Sequence, residues 1–139
     1  MNSPVTIDAS VFVSAFTPSE PAHLVSKAFM LNVREHSIPI IVPVLVLPEI
    51  SAALSRGQGK SELGKAFVQE LRNFPNTTFI DVDGSIATLA VDIAADYRLR
   101  GSDAIYAAVS LRFGTELITL DKEQLAGLPN VLPVRAPSE

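Results

Sequence analysis

A chain of 139 residues, 47% of them hydrophobic, is long enough for one domain with a single core. It has no cysteine and only two histidines, which excludes disulfides, thiolate chemistry and cysteine-ligated zinc and leaves oxygen as the ligand type for any metal. A net charge of -4 argues against a strongly basic nucleic-acid binder, although a local group of arginines can still hold phosphates.

The N-terminus, MNSPVTID, carries no basic region followed by an apolar core, so no signal peptide is expected. Ile38 to Leu47 is the most apolar stretch, but it is too short and too proline-marked to span a bilayer. A cytoplasmic protein without a membrane anchor is the expectation.

Val5 to Ile7 reads as a short strand ending at Asp8, with a helix beginning over Ser10 to Ala15. Asp8 either caps that helix or serves as a ligand at the strand's end. Pro21 suits a first helical position, and Leu24, Ala28 and Leu31 give the following helix an inward stripe. His23 and His36 have no acid or second histidine at ligand spacing and read as surface residues. Ile38 to Val42 is β-branched and apolar, a strand buried on both faces as in a parallel sheet, and Pro43 ends it.

VLVLPEISAALSRG then reads as a helix with Leu47, Ile50 and Leu54 on one face and Gly57 as its stop. Pro48 removes a backbone donor and is expected to bend its first turns. Glu49 follows it, either partly exposed or a carboxylate within an apolar segment, where an unpaired charge is costly. Gly57, Gly59 and Lys60 connect to a helix built on Leu63, Ala66, Phe67, Leu71 and Phe74. Thr77 to Val82 is a third strand with Asp81 and Asp83 at its end.

Ile86, Leu89, Ala90, Ile93, Ala94 and Tyr97 give the clearest helical stripe, ending in Arg98 and Arg100, while Asp92 and Asp96 form a solvated face. Ser102 is placed to cap a helix carrying Ile105, Ala108 and Val109, and Gly114 to end it. Leu117 to Leu120 reads as a buried strand ending at Asp121, which with Gln124 resembles a capping box. A helical turn and a break at Gly127 to Pro129 lead to a last strand, Val131 to Val134. One domain over residues 1–135 and a loose tail over 136–139 are expected.

Strands alternating with helices at these lengths imply βαβ crossovers and a parallel sheet covered on both faces. Open sheets of this kind bind ligands beyond the carboxyl ends of their strands. Asp8 and Asp121 end strands there, and Glu49 and Asp103 lie in early turns of helices whose N-termini face the same edge. Each has a structural alternative: a cap for Asp8 and Asp121, the helix dipole for Asp103, solvent for Glu49. Together they form a candidate site, because closely packed acids repel unless a cation neutralises them. Hard oxygen ligands select Mg²⁺ or Mn²⁺, which can activate water for phosphodiester hydrolysis without a protein nucleophile. Ser10 and Thr119, each within two residues of a candidate ligand, could hold carboxylates or waters.

An N-terminal strand ending in D-A-S, a proline-preceded strand followed by a helix bearing P-E, then G-S-D-A-I-Y-A-A and finally I-T-L-D resemble the PIN-domain nucleases, particularly the VapC-type toxins. The resemblance covers essentially the whole chain. It implies a three-layer α/β/α sandwich with a parallel sheet of about five strands in the order 3-2-1-4-5, and Mg²⁺- or Mn²⁺-dependent RNA cleavage. It further implies frequent homodimers and, in toxins, inhibition by a small VapB-type antitoxin.

Asp8, Glu49, Asp103 and Asp121 match the family's acidic positions, and Ser10 and Thr119 match positions where hydroxyls assist. One departure is Leu125, where an aromatic residue commonly follows the last acid. Arg56, Arg98, Arg100 and Arg112 are candidates for holding RNA phosphates. Two alternatives stand beside this reading. One is a phosphoacceptor receiver domain using Asp81 or Asp83, although such domains pair acids after the first strand, where this chain has Ala9 and Ser10. The other is an inactive PIN-like interaction module.

Overall fold

The computed structural model describes residues 3–138. Met1, Asn2 and Glu139, which belong to the expected domain and tail, lie outside them. The elements run β1 (Val5–Ile7), α1 (Ala9–Phe16), α2 (His23–Glu35), β2 (Ile40–Pro43), α3 (Val46–Gln58), α4 (Ser61–Arg72), β3 (Thr77–Ile80), α5 (Gly84–Tyr97), α6 (Gly101–Phe113), β4 (Glu116–Ile118), α7 (Lys122–Gly127) and β5 (Val134–Arg135).

The strands form one parallel sheet in the order β3-β2-β1-β4-β5, flanked by helices as a three-layer α/β/α sandwich. Val5 pairs with Ile40 on one side and Glu116 on the other, so the first strand of the chain is the middle of the sheet. The strand order reverses there. β1 leads outward to β2 and β3, whereas β4 returns to its other side, which opens a crevice at the carboxyl ends of β1 and β4.

β1 is buried throughout, and its one polar side chain is satisfied. Thr6 donates to Ile41 O at 2.7 Å and shares a 2.5 Å hydrogen bond with the buried Thr115 hydroxyl. α6 packs against β1, β2 and β4. Ala104, Ala107 and Ala108 are fully buried, and such small residues allow close backbone approach to the sheet. A helix apolar on nearly all sides belongs in an interior, and this one holds Asp103 at the crevice. Gly114, at φ +67°, closes it in the left-handed conformation that an L side chain resists.

The α2 stripe is reversed from expectation. Leu24, Ala28 and Leu31 lie exposed, and Ser26, Phe29, Met30 and Val33 face inward. This helix has apolar residues on both sides, and the larger Phe29–Met30–Val33 set takes the core. Pro21 precedes α2 without entering it. His23 is half-buried, its Nδ1 2.9 Å from Ser14 O, so it ties the start of α2 to α1; His36 is exposed.

Leu47, Ile50 and Leu54 are buried as expected, but α3 continues through Gly57 and stops at Gly59, φ +69°. Pro48 falls in the first turn of α3, where a missing N–H deprives no intrahelical bond. α4 lies close enough to α3 that a Cβ on Gly64 would meet Ser51 O at 2.6 Å.

Strand ends shift by one to three residues. β2 begins at Ile40 rather than Ile38, β3 ends at Ile80 rather than Val82, and β4 is Glu116–Ile118 rather than Leu117 to Leu120. Val131 and Leu132 turn back onto Leu128 O at 2.8 and 3.1 Å, which leaves Val134–Arg135 as the last strand. No helix among the described residues is long and apolar enough to cross a membrane.

Candidate active site

A cavity of about 650 Å³ sits at the crevice, and Asp8, Glu49, Asp103 and Asp121 all line it, together with Ser10, Arg56 and Arg100. Asp8 follows β1, Glu49 lies in the first turn of α3, Asp103 in the first turn of α6, and Asp121 at the N-cap of α7. Arg98 and Arg112 do not line it. Arg98 is the left-handed C-cap of α5, and Arg112 lies in the last turn of α6, about 13 Å along the helix from Asp103.

Asp8 occupies the N-cap position of α1 yet makes no side-chain cap. Its Oδ2 instead accepts hydrogen bonds from the hydroxyls of Ser10 at 2.6 Å and Thr119 at 3.1 Å. Each hydroxyl is itself fixed by a backbone amide. Leu120 N donates to Ser10 Oγ at 3.2 Å, and Asp121 N donates to Thr119 Oγ1 at 3.0 Å. An oxygen that accepts from an amide turns its single proton elsewhere, and here that proton goes to Asp8. Two amide–hydroxyl–carboxylate relays therefore join the loops after β1 and β4.

Asp103 is 5% exposed; its Oδ1 accepts from Gln124 Nε2 at 3.1 Å and its Oδ2 from Arg100 Nε at 3.0 Å. Asp121 caps α7 through Oδ1, which accepts from the amides of Glu123 at 2.8 Å and Gln124 at 3.4 Å. Its Oδ2 accepts from the other arm of the Arg100 guanidinium at 2.9 Å. Glu49, half-buried, accepts from the fully buried Tyr106 hydroxyl at 2.5 Å.

Burial pushes the carboxyls of Asp8, Glu49 and Asp103 above their ordinary range, against hydrogen bonds that pull each down. Mutual repulsion adds to the rise, from Asp121 on Asp8 and Asp103 and from Asp8 and Asp103 on Glu49. Burial and the Glu49 charge likewise raise Tyr106, keeping its proton available to Glu49.

The donor set suits a hard divalent cation: carboxylate oxygens, partly desolvated and repelling one another. Its spacing is open. Among the described residues, no three acidic or histidine side chains stand close enough together to hold one ion.

A model of the PIN domain matches residues 5–127. The chain belongs to the PIN-domain family. No curated protein matches it. Among solved structures, it resembles Mycobacterium tuberculosis VapC20, a sarcin-ricin loop cleaving toxin, at 18% identity and TM-score 0.72, covering 93% of this chain and 99% of that one. VapBC2 from Rickettsia felis, bound to a promoter DNA fragment, matches at 12% identity and TM-score 0.71 over 96% and 98% of the two chains. A toxin–antitoxin complex from Klebsiella pneumoniae matches at 19% identity and TM-score 0.68 over 97% and 98%. At these identities the likeness is one of fold.

Within this PIN domain, Gln124 and Tyr106 are site residues that sequence reasoning passed over. The Gln124 backbone amide donates to the Asp121 cap as the spacing suggests, while its side-chain amide crosses to Asp103. Its spacing from Asp121 gives no hint of that. Tyr106, three residues after Asp103, shares its helix face, and that spacing was a usable signal. Glu20 also lines the cavity, from a proline-bounded loop with no periodic signature. Ser102 lies inside the first turn of α6 and does not cap it, since Arg100 occupies the N-cap position. Asp81 and Asp83 follow the edge strand β3, and Asp83 caps α5 through Ile86 N at 2.9 Å.

Proposed function

We propose that this PIN domain is a divalent-metal-dependent endoribonuclease, the toxin of a toxin–antitoxin pair, with Asp8, Glu49, Asp103 and Asp121 as its metal-holding acids. The observation that carries this reading is the grouping of those carboxylates, from separate elements, around one cavity at the switch point of the sheet. Family membership supports it, as does the fold shared with a sarcin-ricin loop cleaving toxin and with toxin–antitoxin complexes.

When bound, Mg²⁺ or Mn²⁺ would supply charge to activate water, screen the phosphate and stabilise the leaving oxygen. The chain's own part is positional. Ser10 and Thr119 hold Asp8 from both sides of the crevice, and Gln124 holds Asp103 from behind. Tyr106 engages Glu49 Oε1 and leaves Oε2 without a hydrogen bond among the described residues. Ser10 is a supporting hydroxyl and not a nucleophile, because its proton is engaged by Asp8 and a lone pair by Leu120 N. Arg56 lines the cavity, and in this reading its guanidinium holds a backbone phosphate. A small VapB-type antitoxin, a homodimer and a cytoplasmic setting complete the reading.

The test is cleavage of single-stranded RNA by the purified chain with Mn²⁺, with EDTA, and after Asp8→Asn or Asp103→Asn. Each substitution is expected to lower the rate more than about 100-fold, beyond the usual contribution of a metal ligand's outer partners, with the fold retained by circular dichroism. Variants that cut like wild type, or undiminished cutting in EDTA, would overturn it.

A further inference from the structure

Arg100 spans the two acids that flank the crevice on one side. Its Nε meets Asp103 Oδ2 and its terminal amine meets Asp121 Oδ2, at 3.0 and 2.9 Å. The remaining oxygen of each carboxylate is already committed, Asp103 Oδ1 to Gln124 and Asp121 Oδ1 to the first amides of α7. The two Oδ2 atoms are therefore what this pair has left to offer a ligand, and one guanidinium takes both.

The burial of the partners is unequal. The Arg100 side chain is 72% exposed, whereas those of Asp103 and Asp121 are 8% and 15% exposed. Arg100 can swing into water without unpacking anything. The acids cannot follow, because Gln124 and the α7 amides hold them from the protein side.

We propose that Arg100 is a displaceable counter-ion: it neutralises Asp103 and Asp121 when no divalent cation is bound, and it must release them for a cation to bind. The inference rests on the metal-dependent reading of the site. It accounts for the open spacing of the acids, two of which now face a guanidinium rather than a common centre. It also gives the site a conformational equilibrium. A ligand that binds only the released state has its apparent affinity reduced by the fraction of molecules in that state.

The experiment is a calorimetric titration of the full chain with Mn²⁺ alone, without RNA, for wild type, Arg100→Gln and Arg100→Lys, at fixed pH and ionic strength. Arg100→Gln removes both charge and fork and is expected to bind Mn²⁺ about tenfold more tightly, which corresponds to a released state populated near 10% in wild type. Arg100→Lys keeps the charge without the two-armed geometry and is expected to fall between. Thermal melts without metal provide a second readout. Arg100→Gln leaves the two acids facing each other, so its midpoint is expected to drop in EDTA and to rise more than wild type's when Mn²⁺ is added.

Equal or weaker Mn²⁺ binding by Arg100→Gln would overturn the counter-ion proposal while leaving the metal site standing. Absence of Mn²⁺ binding in all three proteins would overturn the metal reading and the proposal with it. Binding by Arg100→Lys as tight as that of Arg100→Gln would show that a positive charge at this position does not hold the site closed, and would overturn the counter-ion proposal.

Discussion

Replacing Tyr106 with Phe removes one oxygen from a fully buried position and leaves the ring in place. The lost contact is the 2.5 Å hydrogen bond to Glu49 Oε1. A hydrogen bond to a charged group contributes about 1.5–3 kcal/mol, but Glu49 is only half-buried and water can replace part of it, so a loss of about 1–2 kcal/mol is expected at pH 7. The loss should depend on pH. The Tyr106 bond lowers the Glu49 pKa, so it favours the ionised form and is stronger to the carboxylate than to the acid. Near pH 4, where burial keeps Glu49 protonated, the penalty should shrink to about 1 kcal/mol or less. Urea unfolding at the two pH values, without divalent metal, measures both numbers. A penalty below about 0.5 kcal/mol at pH 7, or one equal at both pH values, would refute the charge-assisted role assigned to this contact.

Further outcomes follow from the same geometry. Asp8, Glu49 and Asp103 have folded pKa values above the ordinary 3.8 or 4.5, so they bind protons more tightly folded than unfolded. Their contribution to stability is full below about pH 4 and is lost as pH rises through the raised values, so the metal-free melting temperature should fall toward neutral pH; a flat or rising profile would contradict the assigned burial. Thr119→Val strands the Asp121 amide and removes one bond to Asp8, for an expected loss of about 1–3 kcal/mol by urea titration, larger than for Ser10→Ala at its half-buried position. Gly64→Ala places a methyl against the Ser51 backbone oxygen, an overpacking cost of about 2–3 kcal/mol offset by roughly 1 kcal/mol of improved helix propensity, so a net loss of about 1–2 kcal/mol is expected; an unchanged midpoint would mean α3 and α4 part freely.

The α/β alternation and the acids' common edge were legible because strand-to-helix transitions leave period changes, and acids at those transitions stand out. The face of α2 was not legible. Its apolar residues fall on both sides, and periodicity alone does not say whether Leu24 and Leu31 or Phe29, Met30 and Val33 meet the core. The end of α3 was ambiguous for a similar reason: Gly57 and Gly59 both suit a stop, and only the backbone conformation shows which is left-handed. Strand ends drifted because apolar residues continue past the last ladder bond, as at Leu120. Least visible were side chains that reach across elements. Nothing local to Arg100 or Gln124 announces contacts with acids on other segments, since such contacts depend on the packed arrangement.

The Asp8–Thr119 bond spans 111 positions, and β1 waits between β2 and β4 for a neighbour made near the end of the chain. Synthesis proceeds from the N-terminus, so a growing polypeptide carries its first acid long before the segment that holds it has emerged. The cavity is complete only once Asp103 and Asp121 have joined Asp8 and Glu49, so its assembly waits for segments far along the chain.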